Sequence, residues 1–256
     1  MPKLEADLTS NADCPWDEFD PDWYVEKNYG TLRDDDQQIL KLVRDFFSEV
    51  VAGQRRRRGI DLGAGANLYP ALTMLPFCSE VTLAERGAAN RQWLREQITR
   101  PGGYGPSWDP FWAELTAVRP YQALRDPRAA LRERARIQFG DVFKLGRRQW
   151  DLGTMFFVAE SLSAREREFK QATHHFVNSL RIGAPFAAAF MMDSRGYTVG
   201  SHRFPAVAVN EVDVEHCLST VAKVSKIVPI RVFTPLREGY GGMILALGTA
   251  AGKGTS

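Results

Sequence analysis

Asp61 stands two residues before Gly63 and four before Gly65, at the end of the apolar run Gly59-Ile60-Asp61-Leu62. A buried strand that breaks into a tight glycine turn lets the backbone approach a ligand closely. The helix-compatible run from Asn67 to Leu75 behind the turn offers unpaired N–H groups and a positive dipole end. Together they suit a nucleotide. The dinucleotide fingerprint asks for a third glycine three residues after the second, and that position is Leu68, which disfavours a nicotinamide cofactor without excluding it. The plain alternative is an ordinary strand-to-helix turn. Glu85 closes a second strand, 79–85, where an acid accepts the ribose hydroxyls in nucleotide-binding α/β folds, roughly 20 residues past the glycines. Its own plain alternative is a cap for the helix 88–99. Asp141 lies near the end of a third strand, 137–142, from where a carboxylate can take a hydrogen bond from an adenine amino group.

These groups need elements to hold them. Asp34-Asp35-Asp36 supplies N-terminal acids for a helix whose apolar positions Ile39, Leu40, Val43, Phe46, Phe47 and Val50 follow helical spacing up to Gly53. A fourth strand, 150–158, reads as fully buried, with Glu160 just past it. A helix over 164–180, a strand over 186–192, a helix over 212–221 and strands over 224–232 and 242–247 complete the chain. The last two strands are joined by a helix-free loop, 234–241, so the final strand runs antiparallel. The expected architecture is a Rossmann-like α/β fold with a mainly parallel seven-stranded sheet, helices on both faces and an N-terminal helical, aromatic lid. Residues 1–53 form the lid and first helix, 54–250 the nucleotide-binding domain with an insertion at about 101–136, and 251–256 a loose tail.

The 256 residues are 44% apolar and 25% charged, with a net charge of +2, which suits one large domain. Such a weak field points away from nucleic acid. Arg55-Arg56-Arg57-Arg58 reads as a solvated approach to the first strand. Cys14, Cys78 and Cys217 have neither C-x-x-C spacing nor a nearby histidine, so reduced thiols and no structural zinc are expected. No apolar run approaches a membrane span, and residues 1–13 carry no signal-peptide core. A cytoplasmic monomer or homodimer is expected.

Two stretches resemble a known family. Asp61-Leu62-Gly63-Ala64-Gly65 looks like the D-x-G-x-G motif of class I methyltransferases that use S-adenosylmethionine (SAM). Phe19-Asp20-Pro21-Asp22-Trp23-Tyr24-Val25-Glu26-Lys27-Asn28-Tyr29 resembles the F-x-P-x-x-Y-L-x-x-x-Y segment of the nicotinamide, phenylethanolamine and indolethylamine N-methyltransferases. The block from Ile60 through Tyr69, then Asn90 and Trp93-Leu94, is similar to the same family, as are Met192-Asp193-Ser194, Tyr197, Gly200 and Phe204. The resemblance implies that Tyr24 and Tyr29 close over the methionine part of SAM, with Gly63, Gly65 and Tyr69 around its carboxylate and sulfonium. It implies Glu85 and Asn90 at the ribose, Asp141 and Val142 at the adenine, and Asp193 and Tyr197 at the acceptor. Two positions depart from the family pattern: Val158 stands where an amine-binding acid is expected, with Glu160 two residues later, and Ala206 stands where a serine is expected.

The chemistry follows from the sulfonium, which activates its own methyl group, so the protein has to align a nucleophile and exclude water. Tyr24, Tyr29 and the Trp108/Trp112 region are the candidate walls, suited to an aromatic acceptor and a cation. Asp193, Glu160, His202 and Glu211 are candidates for binding an amine or indole N–H and taking its proton, whereas His174 and His175 sit mid-helix as structural residues. No compact carboxylate set suggests a metal. The expected activity is methyl transfer from SAM, leaving S-adenosylhomocysteine (SAH), to nitrogen or an electron-rich carbon of a small aromatic amine, N-heterocycle or indole. The alternatives are a SAM-binding protein without turnover and a nicotinamide-dependent oxidoreductase.

Overall fold

The apolar runs pair into one central sheet whose faces are covered by helices. The computed structural model describes residues 9–51, 53, 57–230 and 241–252. Short 3-10 turns at Asn11–Asp13 and Trp16–Glu18 lead into α1 (Pro21–Tyr29) and α2 (Asp34–Val50). Then come β1 (Arg58–Leu62), α3 (Tyr69–Met74), β2 (Glu80–Glu85) and α4 (Ala88–Thr99). The insertion holds α5 (Asp109–Leu115), α6 (Arg119–Gln122) and α7 (Pro127–Arg134). Next follow β3 (Ala135–Phe139), β4 (Leu152–Phe156), α8 (Glu166–Ser179), β5 (Pro185–Met192) and a hairpin of β6 (Tyr197–Val199) and β7 (His202–Phe204). The chain ends with α9 (Glu211–Ser219), β8 (Ala222–Ile230) and β9 (Gly242–Ala250).

The seven-stranded sheet has the order β3-β2-β1-β4-β5-β9-β8. Its first five strands are parallel, and β9 runs antiparallel to both β5 and β8. Every residue of β4 is buried, as a central parallel strand covered on both faces requires. The edge strand β8 carries exposed Lys223 and Lys226 together with Pro229 and an irregularity between Val224 and Lys226, features that discourage further pairing.

Several boundaries differ from expectation. α3 starts only at Tyr69, after Asn67 has bent its side chain to accept the Tyr69 N–H at 3.1 Å. β3 stops at Phe139, so Asp141 lies beyond it and caps a 3-10 turn. β4 stops at Phe156 because Phe157 adopts a φ of +61°. The insertion folds into three short helices, each with a proline in its first turn. The hairpin β6–β7 lies between β5 and α9, in a stretch to which the sequence reading assigns no element. Most of the 234–241 loop, Arg55-Arg56 and the last residues of the tail lie outside the described residues.

Candidate functional site

Chain connections leave β1 toward β2 on one side, while β4 sits on its other side, so the sheet's switch point falls between β1 and β4. Ligands of open α/β sheets bind outside the carboxyl ends of the strands at such a point. Here a cleft of about 980 Å³, counted to its open mouth, lies over the glycine turn and the end of β4.

The turn is shaped by sterics. Gly63 has φ +66° and Gly65 φ +54°, values that disfavour any residue with a side chain. A Cβ on Gly63 would stand 2.5 Å from Val158 Cγ2, so the turn and the end of β4 fit only without it. The Gly63 N–H donates to Ala84 O at 2.8 Å, which anchors the turn on β2.

Glu85 reaches over from β2. Its Oε2 accepts the Gly65 N–H at 2.9 Å and its Oε1 accepts the Gly87 N–H. Burial pushes the Glu85 carboxyl up, and the Gly87, Gly65 and Asn90 hydrogen bonds oppose that shift. Asn90 is only 4% exposed, lines the cleft, and its Oδ1 has no hydrogen-bond partner among the described residues. An acceptor buried in this way calls for a donor from a ligand. Asp141 lines the same cleft, with Oδ1 accepting the Phe143 N–H at 3.0 Å and Oδ2 3.7 Å from both Arg86 and Lys144. Val142 lies beside it on the wall.

The lid crosses the mouth. Asp20 caps α1 by accepting the Trp23 N–H, and Pro21 sets the first turn. The helix ends in Tyr29, whose hydroxyl accepts the Asn67 side-chain amide at 3.0 Å. Tyr24 meets Tyr29 edge to face at 5.8 Å, and both rings line the cleft. On the outside, Phe204 of β7 stacks between Trp16 of the lid at 5.2 Å and Tyr197 of β6 at 5.3 Å. Asp22 accepts the Trp93 indole N–H at 3.1 Å, and Asp17 accepts the Ala88 N–H at 2.7 Å. The lid is thus pinned to α4 on one side and to the hairpin on the other.

A second, smaller chamber, about 260 Å³ counted to its open mouth, adjoins the first and shares four walls with it, Tyr24, Tyr29, Phe157 and Met191. Its other walls are Asn28, Arg33, Asp36 and Met243. Arg33 makes a two-pronged pair with Asp35, Nε to Oδ1 at 3.2 Å and Nη2 to Oδ2 at 3.3 Å. Burial, with the Asp35 charge adding to it, pushes the Asp36 carboxyl up to about 7, against the opposing pull of the Tyr69 hydroxyl and Arg33.

The structure therefore gathers Tyr24, Tyr29, Gly63, Gly65, Glu85, Asn90, Asp141, Val142 and Tyr197 around one cleft, as their types and spacing suggest. Other candidates lie elsewhere. Asp61 is buried beneath the turn, accepts the Thr154 hydroxyl at 2.7 Å, and is pushed up to about 8 by burial, so it braces β1 on β4 and does not line the cleft. Tyr69 is wholly buried, stacked on Phe111 at 5.6 Å and edge-on to Phe156, behind the wall. Trp108 packs on the back of Tyr29 at 5.4 Å and buttresses the lid from the insertion, whereas Trp112 sits edge-on to Tyr121 at 5.9 Å within the insertion itself. Glu160 is wholly buried; its Oε1 accepts the Met191 N–H at 2.9 Å and the Ser161 hydroxyl at 3.0 Å, and these bonds clamp the ends of β4 and β5 together. Asp193 is exposed at a turn with φ +58° and lines neither chamber. His202 reaches outward to Glu18 of the lid at 2.8 Å. Glu211 opens α9, away from both chambers. His174 is structural, with Nε2 2.9 Å from Cys217 O.

Asp36, Phe157, Met191, Arg86 and Ser161 are walls that the sequence did not single out. Phe157 carried no local signal, although its positive φ marks the strain that accompanies many sites. Among the described residues no cluster of His, Cys, Asp or Glu suits a metal ion, and no helix is long and apolar enough to cross a membrane.

Comparison with known proteins agrees with this fold. Residues 8–234 match the NNMT/PNMT/TEMT family. Phenylethanolamine N-methyltransferase of Rattus norvegicus is 24% identical over 246 residues, covering 85% of this chain and 84% of that protein. The Bos taurus enzyme of the same name is 25% identical, covering 80% and 77%. Among solved structures, a SAM-dependent methyltransferase of Methanosarcina mazei superposes with a TM-score of 0.57 at 10% identity, covering 82% of this chain and 98% of that one. The N-methyltransferase NodS of Bradyrhizobium japonicum, in complex with SAH, superposes with a TM-score of 0.52 at 12% identity, covering 91% and 93%.

Proposed function

The chain belongs to the NNMT/PNMT/TEMT family and is a SAM-dependent methyltransferase, and on that premise we propose that it methylates a small aromatic amine, N-heterocycle or indole held in the inner chamber beneath Tyr24 and Tyr29. The observation that carries this is the pair of adjoining chambers with shared walls, one edged by the glycine turn and one by aromatic and thioether side chains.

The residues around the outer cleft fit an adenosyl group. Asn90 Oδ1 is a buried acceptor without a partner, and Glu85 has lone pairs beyond the two that bind Gly65 and Gly87, so both can receive ribose hydroxyls. Asp141 and Val142 offer an acceptor and an apolar wall to the adenine, and the side-chain-free Gly63–Gly65 backbone admits the methionine part. When bound, SAM supplies an electrophilic methyl group on a sulfonium. The chain's own contribution is position and dryness. Tyr24 and Tyr29 cover the junction of the chambers, Phe157 and Met191 close it from the sheet side, and Tyr197 holds the hairpin edge. Alignment of this kind lowers a barrier by about 7 kcal/mol or more in favourable cases. Tyr29 remains a neutral phenol because burial pushes its hydroxyl well up, so it serves as wall and hydrogen-bond partner and not as a base.

An acceptor screen with SAM tests this. Arylalkylamines, pyridines and indoles are incubated with the protein and followed by mass for gain of one methyl group. Methylation of a member of these classes is expected. Turnover confined to non-aromatic acceptors would refute the proposal.

A further inference from the structure

The acid run Asp34-Asp35-Asp36 is an ordinary helix start by sequence, but its members do different things. Asp35 is matched by Arg33 through two hydrogen bonds. Asp36 is 2% exposed, sits on the wall of the inner chamber, and has Oδ1 without a hydrogen-bond partner among the described residues. The nearby Tyr69 hydroxyl likewise completes no well-formed hydrogen bond. A buried carboxylate is costly unless its oxygens are paired, and the pull of Arg33 and the Tyr69 hydroxyl offsets the burial of Asp36 only in part. With both prongs of Arg33 on Asp35, ionised Asp36 leaves the described walls of the chamber with one more negative than positive charge when Asp35 is counted with them.

We propose that Asp36 anchors the acceptor, its carboxylate receiving a cationic amine or N–H donor group of the molecule that enters the inner chamber. The inference rests on the methyltransferase function above and adds the polar contact that selects the acceptor. The surroundings suit a cation: Tyr24, Tyr29 and Phe157 line the chamber, and so do the polarisable Met191 and Met243. The anchor also answers a difficulty of the site, since the other acids considered for this task, Asp193 and Glu160, do not line the chamber.

Ionisation of Asp36 is governed by groups on every side. Asp35 and Arg33 face it from its own segment, Tyr69 from α3, and Tyr29 from the lid. Because its carboxyl is raised to about 7, cation binding strengthens as pH rises through neutrality.

The test is calorimetric titration of the SAH-loaded protein with phenethylamine and with phenethyl alcohol, which has a neutral hydroxyl in place of the ammonium group. The wild type is expected to prefer the amine by roughly tenfold or more at about pH 8.5, the scale of one hydrogen bond to a charged group, and to lose that preference at about pH 5.5. Asp36→Asn, nearly isosteric, is expected to abolish the preference at both pH values while leaving SAH affinity unchanged. The pH series on the wild type stands even where the variant fails to fold. Equal binding of amine and alcohol by the wild type at the higher pH, or an undiminished preference in Asp36→Asn, overturns the inference while SAH binding leaves the cofactor site intact. Failure of the wild type to bind SAH overturns both.

Discussion

Glu85 Oε2 accepts the Gly65 N–H at 2.9 Å, joining the end of β2 to the glycine turn that follows β1. One carboxylate thereby fixes the shape of the turn and presents its remaining lone pairs to the same cleft. Replacement Glu85→Gln keeps an acceptor but removes the charge. SAH affinity is expected to fall by roughly ten- to a hundredfold, as for loss of hydrogen bonds to a charged group. Calorimetry reads this directly, and an unchanged affinity would remove Glu85 from the cofactor site.

Gly63 and Val158 are fitted to one another. An alanine at Gly63 meets Val158 Cγ2 at 2.5 Å and has to adopt φ +66°. Gly63→Ala is expected to destabilise the fold by about 1–3 kcal/mol and to weaken SAH binding. Adding Val158→Ala relieves the collision but not the backbone strain, so the double variant should recover part of the loss in urea denaturation. No recovery would show that contact with Val158 is not the cause.

Asp61 sets a pH dependence. Its carboxyl rises from an ordinary 3.8 to about 8 on folding, chiefly by burial, with the Glu85 charge adding. The unfolded chain therefore releases this proton first, so the contribution of Asp61 to stability is complete below the unfolded value and is lost as pH rises to about 8. Asp61→Asn removes that loss. Its thermal midpoint, relative to wild type, should improve between about pH 5 and about pH 8. A constant difference across that range would mean that Asp61 is ionised in the folded protein.

His202 is expected to be dispensable for chemistry. Its imidazole pairs with Glu18 at 2.8 Å on the outer side of the lid, and it lines neither chamber. His202→Ala should change SAH affinity and methyl transfer by less than about threefold, the modest effect of a surface pair. Loss of turnover by orders of magnitude at unchanged SAH affinity would restore it as a proton acceptor.

The parts of the site legible in the sequence are those set by local backbone chemistry. Glycines after a strand, and acids at strand ends such as Glu85 and Asp141, announce themselves because the parallel sheet aligns all those ends on one edge. Aromatic type did not reveal depth: Tyr24 and Tyr29 line the cleft, whereas Trp108 stands behind Tyr29 and Trp112 packs on Tyr121 within the insertion. Nor did nearness in sequence reveal facing. Asp193 and His202 flank the same turn-and-hairpin segment, yet neither lines a chamber. Asp36 was hidden by its neighbours, since three consecutive acids at a helix start read as dipole partners, and only the packing of α2 against Tyr69 sets the third apart.

The most direct test of the account is calorimetric titration of the wild-type protein with SAM, SAH and NADH. Micromolar binding of SAM and SAH with none of NADH is the predicted result. Binding of NADH alone, or of none of the three, would contradict the assignment of the Gly63–Gly65 cleft.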